Sequence, residues 1–359
     1  MILSDLYLWL SYSHLQTSTI NRLLDQMTVE QLWDAVDSDS SKKFSLSDKT
    51  LSVLRRTKSE EFIERAKQYL SVNHIEYVTR ADPIFPEKLL QRNVNPPVVL
   101  YYRGNLDIAR KKCLAVVGTR HATQYGKYAV NKIVPELTGK FTIVSGLATG
   151  IDGYAHTAAL DAGGDTIAVL GSGLFTVTPA SHARLFDTIC KRGLVISEYT
   201  PDTHASVYTF PQRNRIISGL CDGTLVVEAS QKSGSLITAD FALEQDRDVF
   251  AVPGDIDKPR SFGTNSLIAQ GATAVTSAKD ILDFYGMKSD SSGKKMIELD
   301  FGQQHVLDIL SDGEKTFDAL VESSGMSISA LNAALSSLIG YGMVHETANN
   351  VYCADKDKD

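Results

Sequence analysis

Between residues 113 and 277, short apolar runs alternate with amphipathic stretches. The runs are CLAVV (113–117), TIVS (142–145), TIAVL (166–170), LVIS (194–197), TLVVE (224–228), VFAV (249–252) and TAVTS (273–277). Near-continuous apolar strands separated by helical segments predict a parallel sheet covered on both faces. Gly118, Gly146, Gly171 and Gly254 closely follow four of these strands. Ligands of such sheets bind beyond the carboxyl ends of the strands, where these glycine turns fall.

The flanks read differently. Ile20–Met27, Val29–Val36 and Glu61–Leu70 place apolar residues at helical spacing, so residues 1–75 are expected to be short amphipathic helices. Pro96-Pro97 precedes strand-like Val98–Tyr102, and Asp37–Ser47 is a polar run. Lys288–Lys295 reads as a flexible linker. Beyond it, Val306, Ile309 and Leu310 share one helix face, and Phe317, Leu320 and Val321 a second. Leu331, Leu335 and Leu338 form a third, and Gly342–Tyr352 reads as a hairpin around Asn349-Asn350. Three helices and a hairpin predict a winged helix. The expected division is a helical domain over 1–75, an α/β core over 76–286, a linker over 287–296 and a winged helix over 297–355.

Composition narrows the class. No apolar run approaches the ~20 residues that a membrane-spanning helix needs, and Met1–Leu10 has neither a basic start nor a cleavage site. Cys113, Cys190, Cys221 and Cys353 form no CxxC pair, which argues against a disulfide framework or a zinc site and fits the cytoplasm. The net charge of −7 would disfavour a nucleic-acid partner, but it is unevenly spread. Residues 296–354 hold eight acidic side chains and one basic, Lys315, whereas residues 1–295 carry a net +1. Phosphate binding responds to local field, so a basic pocket in the core stays open.

Several turns carry candidate chemistry. Gly118-Thr119-Arg120 would let backbone and a bidentate guanidinium approach an anion; a turn with a solvated arginine reads as well. Phe210–Ile217 (FPQRNRII) joins an aromatic, two arginines and an amide at the start of a helix. Arginines bind phosphate oxygens and an aromatic stacks an unpaired base. Arg213 and Arg215 fall on different faces of a regular helix, so at most one faces a given pocket. Lys232-Ser233-Gly234-Ser235 reads as a phosphate cradle or as an ordinary capping loop. Asp152 reads as a cap for the helix carrying His156, with an acid–base pair as the alternative. Gly171-Ser172-Gly173 begins a dinucleotide fingerprint, but Thr176 holds its third glycine position. The phosphate loop GxxxxGK[ST], the GxSxG elbow and HExxH are all absent from the sequence.

Seven stretches, in order, resemble the bacterial DNA-processing protein A (DprA/Smf) family. They are VVGTR (116–120), VSGLATGIDGYAH (144–156), TIAVLGSGL (166–174), FPQRNRIISGL (210–220), SGSLITA (233–239), LEQDRDVFAVPG (243–254) and GTNSLIAQGA (263–272). The resemblance implies an extended Rossmann-like parallel-sheet core, a small helical SAM-like N-terminal domain and a C-terminal winged helix. It also implies a single-stranded DNA-binding protein of natural transformation and recombination, without enzymatic activity, cofactor or metal, that protects incoming strands and loads the RecA recombinase onto them. Carried over by position, the phosphate pocket comprises Gly118, Thr119, Arg120, Ser145, Gly146, Arg213, Asn214, Ser233, Gly234 and Ser235. Phe210 and Pro211 form its rim, and Arg215 and Lys232 are neighbouring cations. A homodimer through Asn265–Val275 is implied, with Leu267 and Ile268 as contacts.

Three stretches depart from that family. Thr178-Pro179-Ala180-Ser181-His182 replaces a Tyr-Pro-x-x-Asn turn, so His182 or Arg184 is the available substitute for a phosphate contact. Tyr12–Ile20 lacks a glycine hairpin. Ser327–Gly340, the expected recognition helix, holds no Lys or Arg, which predicts a protein-interaction or regulatory module rather than a duplex reader. Cys221–Glu228 faintly resembles the PGGxGTxxE loop of lysine-decarboxylase-like nucleotide phosphoribohydrolases, with Glu228 as its carboxylate. A nucleoside-monophosphate phosphoribohydrolase and a nucleotide-binding regulator therefore stay open as alternatives.

Overall fold

All seven apolar runs enter one nine-stranded sheet. Its strands are β1 (Glu76–Thr79), β2 (Val99–Gly104), β3 (Cys113–Val117), β4 (Thr142–Ser145), β5 (Thr166–Val169), β6 (Leu194–Ser197), β7 (Gly223–Val226), β8 (Asp248–Ala251) and β9 (Thr273–Ala274). The computed structural model describes residues 1–38, 47–287, 299–348 and 350–354. Most of the Asp37–Ser47 run, residues 288–296 of the expected linker, Asn349 of the expected hairpin and residue 355 lie outside the described residues. Residues Met1–Gly286 form one compact unit and Met287–Asp359 another.

The strand order is β1-β2-β6-β5-β4-β3-β7-β8-β9. Pairings among β3 to β9 are parallel, whereas β1 with β2 and β2 with β6 are antiparallel. The parallel sheet read from the sequence thus gains an antiparallel edge, and the TAVTS run pairs over only two residues.

Side-chain alternation builds two cores on opposite faces. Leu100 and Tyr102, Ile167 and Val169, and Leu194 and Ile196 enter one cluster with Ile216, Ile217 and Leu220 of the helix Thr209–Leu220. Val99 and Tyr101, Ala168 and Leu170, and Val195 enter the other. That second cluster also contains Leu8, Trp9, Leu10, Ile20, Leu32 and Leu54 from the N-terminal helices. Those helices are Leu3–Tyr12, Thr17–Leu24, Val29–Ala35, Asp48–Arg55 and Glu60–Val72. Thr28, Ser47 and Ser59 start three of them by accepting a backbone N–H three residues on. Trp9 is fully buried, donates its indole N–H to the Leu54 carbonyl at 3.2 Å and packs edge-on against Trp33. Burying each such large side chain stabilises by about 1.5–3 kcal/mol.

Polar contacts join the same layers. Glu198, just past β6, accepts from Thr17 Oγ1 at 2.9 Å and from Arg215 Nη2 at 2.6 Å. Both ionic side chains are 6% exposed, and Arg215 Nη1 has no hydrogen-bond partner among the described residues. His156, in the helix Ile151–Asp161, is fully buried with Nδ1 2.7 Å from Thr166 Oγ1 on β5. Its Nε2 has no hydrogen-bond partner among the described residues, and burial, with the nearby His182 and Arg213 charges, pulls its pKa from 6.5 to about 3.

The C-terminal unit has its own core, of Val306, Leu310, Leu320, Leu331, Leu335 and Leu338. Three helices, Phe301–Ser311, Phe317–Ser324 and Ile328–Gly340, supply it. Lys315–Thr316, Val351–Ala354 and Val344–Ala348 pair side by side as a three-stranded antiparallel sheet in that order. Among the described residues no helix is long and apolar enough to cross a membrane.

Two stability tests follow from these contacts. Glu198→Gln leaves Arg215 buried without a counter-charge and is expected to lower unfolding free energy by about 3 kcal/mol in urea titrations; a loss below about 1 kcal/mol would refute the role. His156 must stay neutral in the fold although its unfolded pKa is near 6.5, so its contribution is present above that pH and lost as pH falls towards 3. At pH 5.5 the loss is expected to be about 1.4 kcal/mol, and His156→Asn should show a correspondingly smaller difference between pH 7.5 and 5.5.

Candidate nucleic-acid interface

All parallel strands of the core end on one edge, and β3 lies between β4 and β7. The chain winds one way from β3 through β4 to β6 and the other way through β7 to β9, so a crevice opens between the turns after β3 and β7. Thr119 N–H donates to the Glu228 carbonyl at 2.8 Å, joining those two turns. Ile151 N–H donates to the Thr119 carbonyl at 3.2 Å, joining the turn after β4 as well. Gly150 makes this contact possible: its φ is +77°, and a Cβ there would lie 2.3 Å from the Thr119 carbonyl oxygen.

Beneath the turns lies Arg213. The helix Thr209–Leu220 starts over the carboxyl ends of β4 and β5 and points this side chain inwards, leaving it 4% exposed. Its Nη1 donates to the Gly146 carbonyl at 2.8 Å and to the Val169 carbonyl, while Nε donates to Asn214 Oδ1 at 3.2 Å. The guanidinium lies so close that a Cβ on Gly146 would sit 2.5 Å from Nη2. Burial lowers the Arg213 pKa to about 10, with the Asp152 and Tyr199 charges opposing and Arg120 assisting, so it remains a cation at neutral pH. Asp152 accepts from Gly146 N–H at 3.1 Å. Burial pushes the Asp152 carboxyl up, and Arg213 with the N–H groups of Ala148 and Gly146 pulls it back.

The candidate residues therefore divide in two. Ser145 donates its hydroxyl to the Val116 carbonyl at 2.7 Å and is fully buried. Gly146, Arg213 and Arg215 are likewise engaged inside the protein; the two arginines diverge as their spacing requires, and Arg215 faces Glu198 instead of the strand ends. These four build the support. Gly118 and Thr119 are half-buried, and Arg120, Lys232 and Gly234 face solvent. Arg120 lies over the Phe210 ring, 5.3 Å from its centroid, and Phe210 packs against Gly171. Among the described residues neither Arg120 nor Lys232 is held by a carboxylate. Asn214 reaches across to the Gly234 carbonyl at 3.4 Å. Ser233 caps the helix Gly234–Glu244, and its hydroxyl is 2.8 Å from that of Ser235. The turns thus carry a buried cation beneath them (Arg213), an exposed arginine resting on an aromatic (Arg120 on Phe210) and a serine-capped helix start beside Lys232.

Other readings resolve differently. Asp152 does not cap its own helix, whose N-cap is Gly150, and His156 bonds Thr166 instead of pairing with Asp152. His182 bonds the Leu147 carbonyl at 2.9 Å, whereas Arg184 is exposed. Leu267 is 7% exposed in the sheet core, with Ile268 packed against that core. Leu267 also lines a cavity of about 280 Å³ with Leu243, Thr273 and Phe284. Glu228, read from sequence as a possible reacting carboxylate, accepts from Thr123 N–H at 2.9 Å and Thr123 Oγ1 at 2.5 Å. It thereby holds the start of the helix Gln124–Leu137.

The family model for DNA recombination-mediator protein A matches residues 76–286. The DNA processing protein DprA of Bacillus subtilis is 38% identical over 74% of this chain and 92% of its own length. DprA of Streptococcus pneumoniae is 50% identical, over 52% of this chain and just under two thirds, 66%, of its own length. The X-ray structure of DprA from Streptococcus pneumoniae superposes with a TM-score of 0.66 at 37% identity, covering 79% of this chain and 98% of that one. DNA processing protein A from Helicobacter pylori, a structure reported for its single-stranded DNA binding mode, gives 0.52 at 28% identity, covering 59% of this chain and 95% of that one. With the family model matched over residues 76–286 and a relative 38% identical over 92% of its own length, this chain belongs to the DNA recombination-mediator protein A (DprA/Smf) family.

Proposed function

We propose that the strand-end notch grips the sugar-phosphate backbone of single-stranded DNA, with little sequence preference, as a step in transformation and recombination. The observation that carries this reading is Arg120: an exposed guanidinium resting on Phe210, with no carboxylate partner among the described residues, on the turn after β3. A chain of phosphates suits that arrangement because each phosphate takes bidentate donors and the helix start favours an anion. The Helicobacter pylori relative's single-stranded DNA binding supports it. Handing the strand to RecA, and a homodimer that presents two notches and gains by effective concentration, complete the reading. Nucleotide hydrolysis is disfavoured because Glu228 is engaged at a helix start. We also read the C-terminal unit as a winged helix that contacts protein: its helix Ile328–Gly340 carries no cation with which to neutralise duplex phosphates.

Arg120→Ala is expected to weaken binding of an oligothymidine about tenfold and to reduce the salt slope by about 0.7, as for one lost single-strand phosphate contact. Fluorescence anisotropy at two salt concentrations measures both, and unchanged affinity would sink the assignment. Residues 297–359, expressed alone, should show no binding to a duplex at physiological salt in gel-shift titrations; tight binding would overturn the protein-contact reading.

A further inference from the structure

The C-terminal unit keeps two large apolar side chains out of its core. Phe301 is 89% exposed and Ile328 61% exposed, each at the first position of its helix. Neither is needed to start that helix. Asp300 accepts from Gln303 N–H at 2.8 Å, and Ser327 from Ala330 N–H at 3.2 Å. Met326 brings the two helix starts together: a Cβ on Gly302 would lie 3.1 Å from its methyl carbon. Phe301 also stacks on His305, with ring planes 14° apart. Apolar residues scattered singly are ordinary on a surface, but two that flank a half-buried methionine make a patch.

Charge selects what covers it. Asp308, seven residues after Phe301, shares the helix face of Phe301 and His305 and is exposed. Asp300 precedes Phe301, and Glu322 lies near the end of the helix that leads to Met326, exposed and without an ion-pair partner among the described residues. Lys315 is the one Lys or Arg in residues 296–354, and it precedes the helix Phe317–Ser324 whereas Met326 follows it. The length of that helix, about 12 Å, keeps the cation away from the patch. An anionic surface repels nucleic acid, an anionic lipid surface and a second copy of itself alike. The patch is also small. A phenylalanine buries about 150–250 Å², so Phe301 and Ile328 fall short of the about 800 Å² that a folded partner covers. A short helix with a few apolar anchors among lysines or arginines matches both the area and the charge.

We propose that Phe301, Met326 and Ile328 form a docking patch for a cationic amphipathic segment of a partner protein. This rests on the reading of the C-terminal unit as a protein-contact module and names the chemistry of what it contacts. Apolar contact holds the segment, and the acidic rim speeds its arrival and makes binding salt-sensitive.

The test titrates the full-length protein with a fluorescent helix-forming peptide of leucine and lysine, roughly 15 residues long, and with a version carrying glutamate for lysine. Anisotropy is expected to show the lysine peptide bound about tenfold more tightly than the glutamate one, and more weakly as salt rises. Phe301→Ser combined with Ile328→Ser should weaken the lysine peptide about tenfold. Ile256→Ser, which removes an 88% exposed side chain from the other unit, should leave it unchanged. A wild type that binds no lysine peptide, equal binding of the two peptides, or unchanged affinity in the double variant overturns the patch. A labelled DNA duplex that the wild type binds and the double variant loses overturns the protein-contact reading itself.

Discussion

A guanidinium sealed under the ends of two parallel strands organises this protein. The carbonyl of Gly146, just past β4, and that of Val169, which ends β5, lie inside the protein, where unpaired backbone oxygens are costly. Arg213 satisfies both Gly146 and Val169 with one nitrogen and reaches Asn214 with another. Because arginine does not give up its proton near neutral pH, the fold must tolerate a permanent buried cation; Asp152 and the surrounding carbonyls make that tolerable. The turns above are shaped by this strut, and the exposed Arg120 is free to face solvent because the inner arginine already does the structural task.

Separate roles for similar residues explain what could and could not be read from the chain. From Cys113 onward the strands were legible because parallel strands buried on both faces must be apolar along their whole length. The helix Leu3–Tyr12 lies within the helical stretch expected over 1–75 but has no periodicity of its own to mark it: Leu6, Leu8, Trp9 and Leu10 are all buried, so its apolar residues follow no single-faced period. The four-residue strand β1 escaped because its pattern is half exposed. The divergence of Arg213 and Arg215 followed from helical geometry. That both would be buried did not, since Glu198 and the strand-end carbonyls come from distant segments.

Charge shows the same split between sum and place. The acidic surplus resides in the C-terminal unit, while the strand-end edge carries Arg120 and Lys232, which no carboxylate among the described residues holds. Local field at a crevice, rather than the −7 total, decides whether a polyanion approaches. Glu228 illustrates the corollary. A carboxylate at the edge of that crevice would repel phosphate if it were free, and its two bonds from Thr123 turn it towards a helix start instead.

The hydrophobic cluster shared by the sheet and the N-terminal helices has a practical meaning for anyone trimming this molecule. Cutting before Glu76 would strip the cover from Val99, Tyr101, Ala168, Leu170 and Val195. An α/β fragment cut at that boundary would present a wide oily wall to solvent and tend to clump, so shortened versions need the N-terminal helices kept, or that wall repainted with polar side chains.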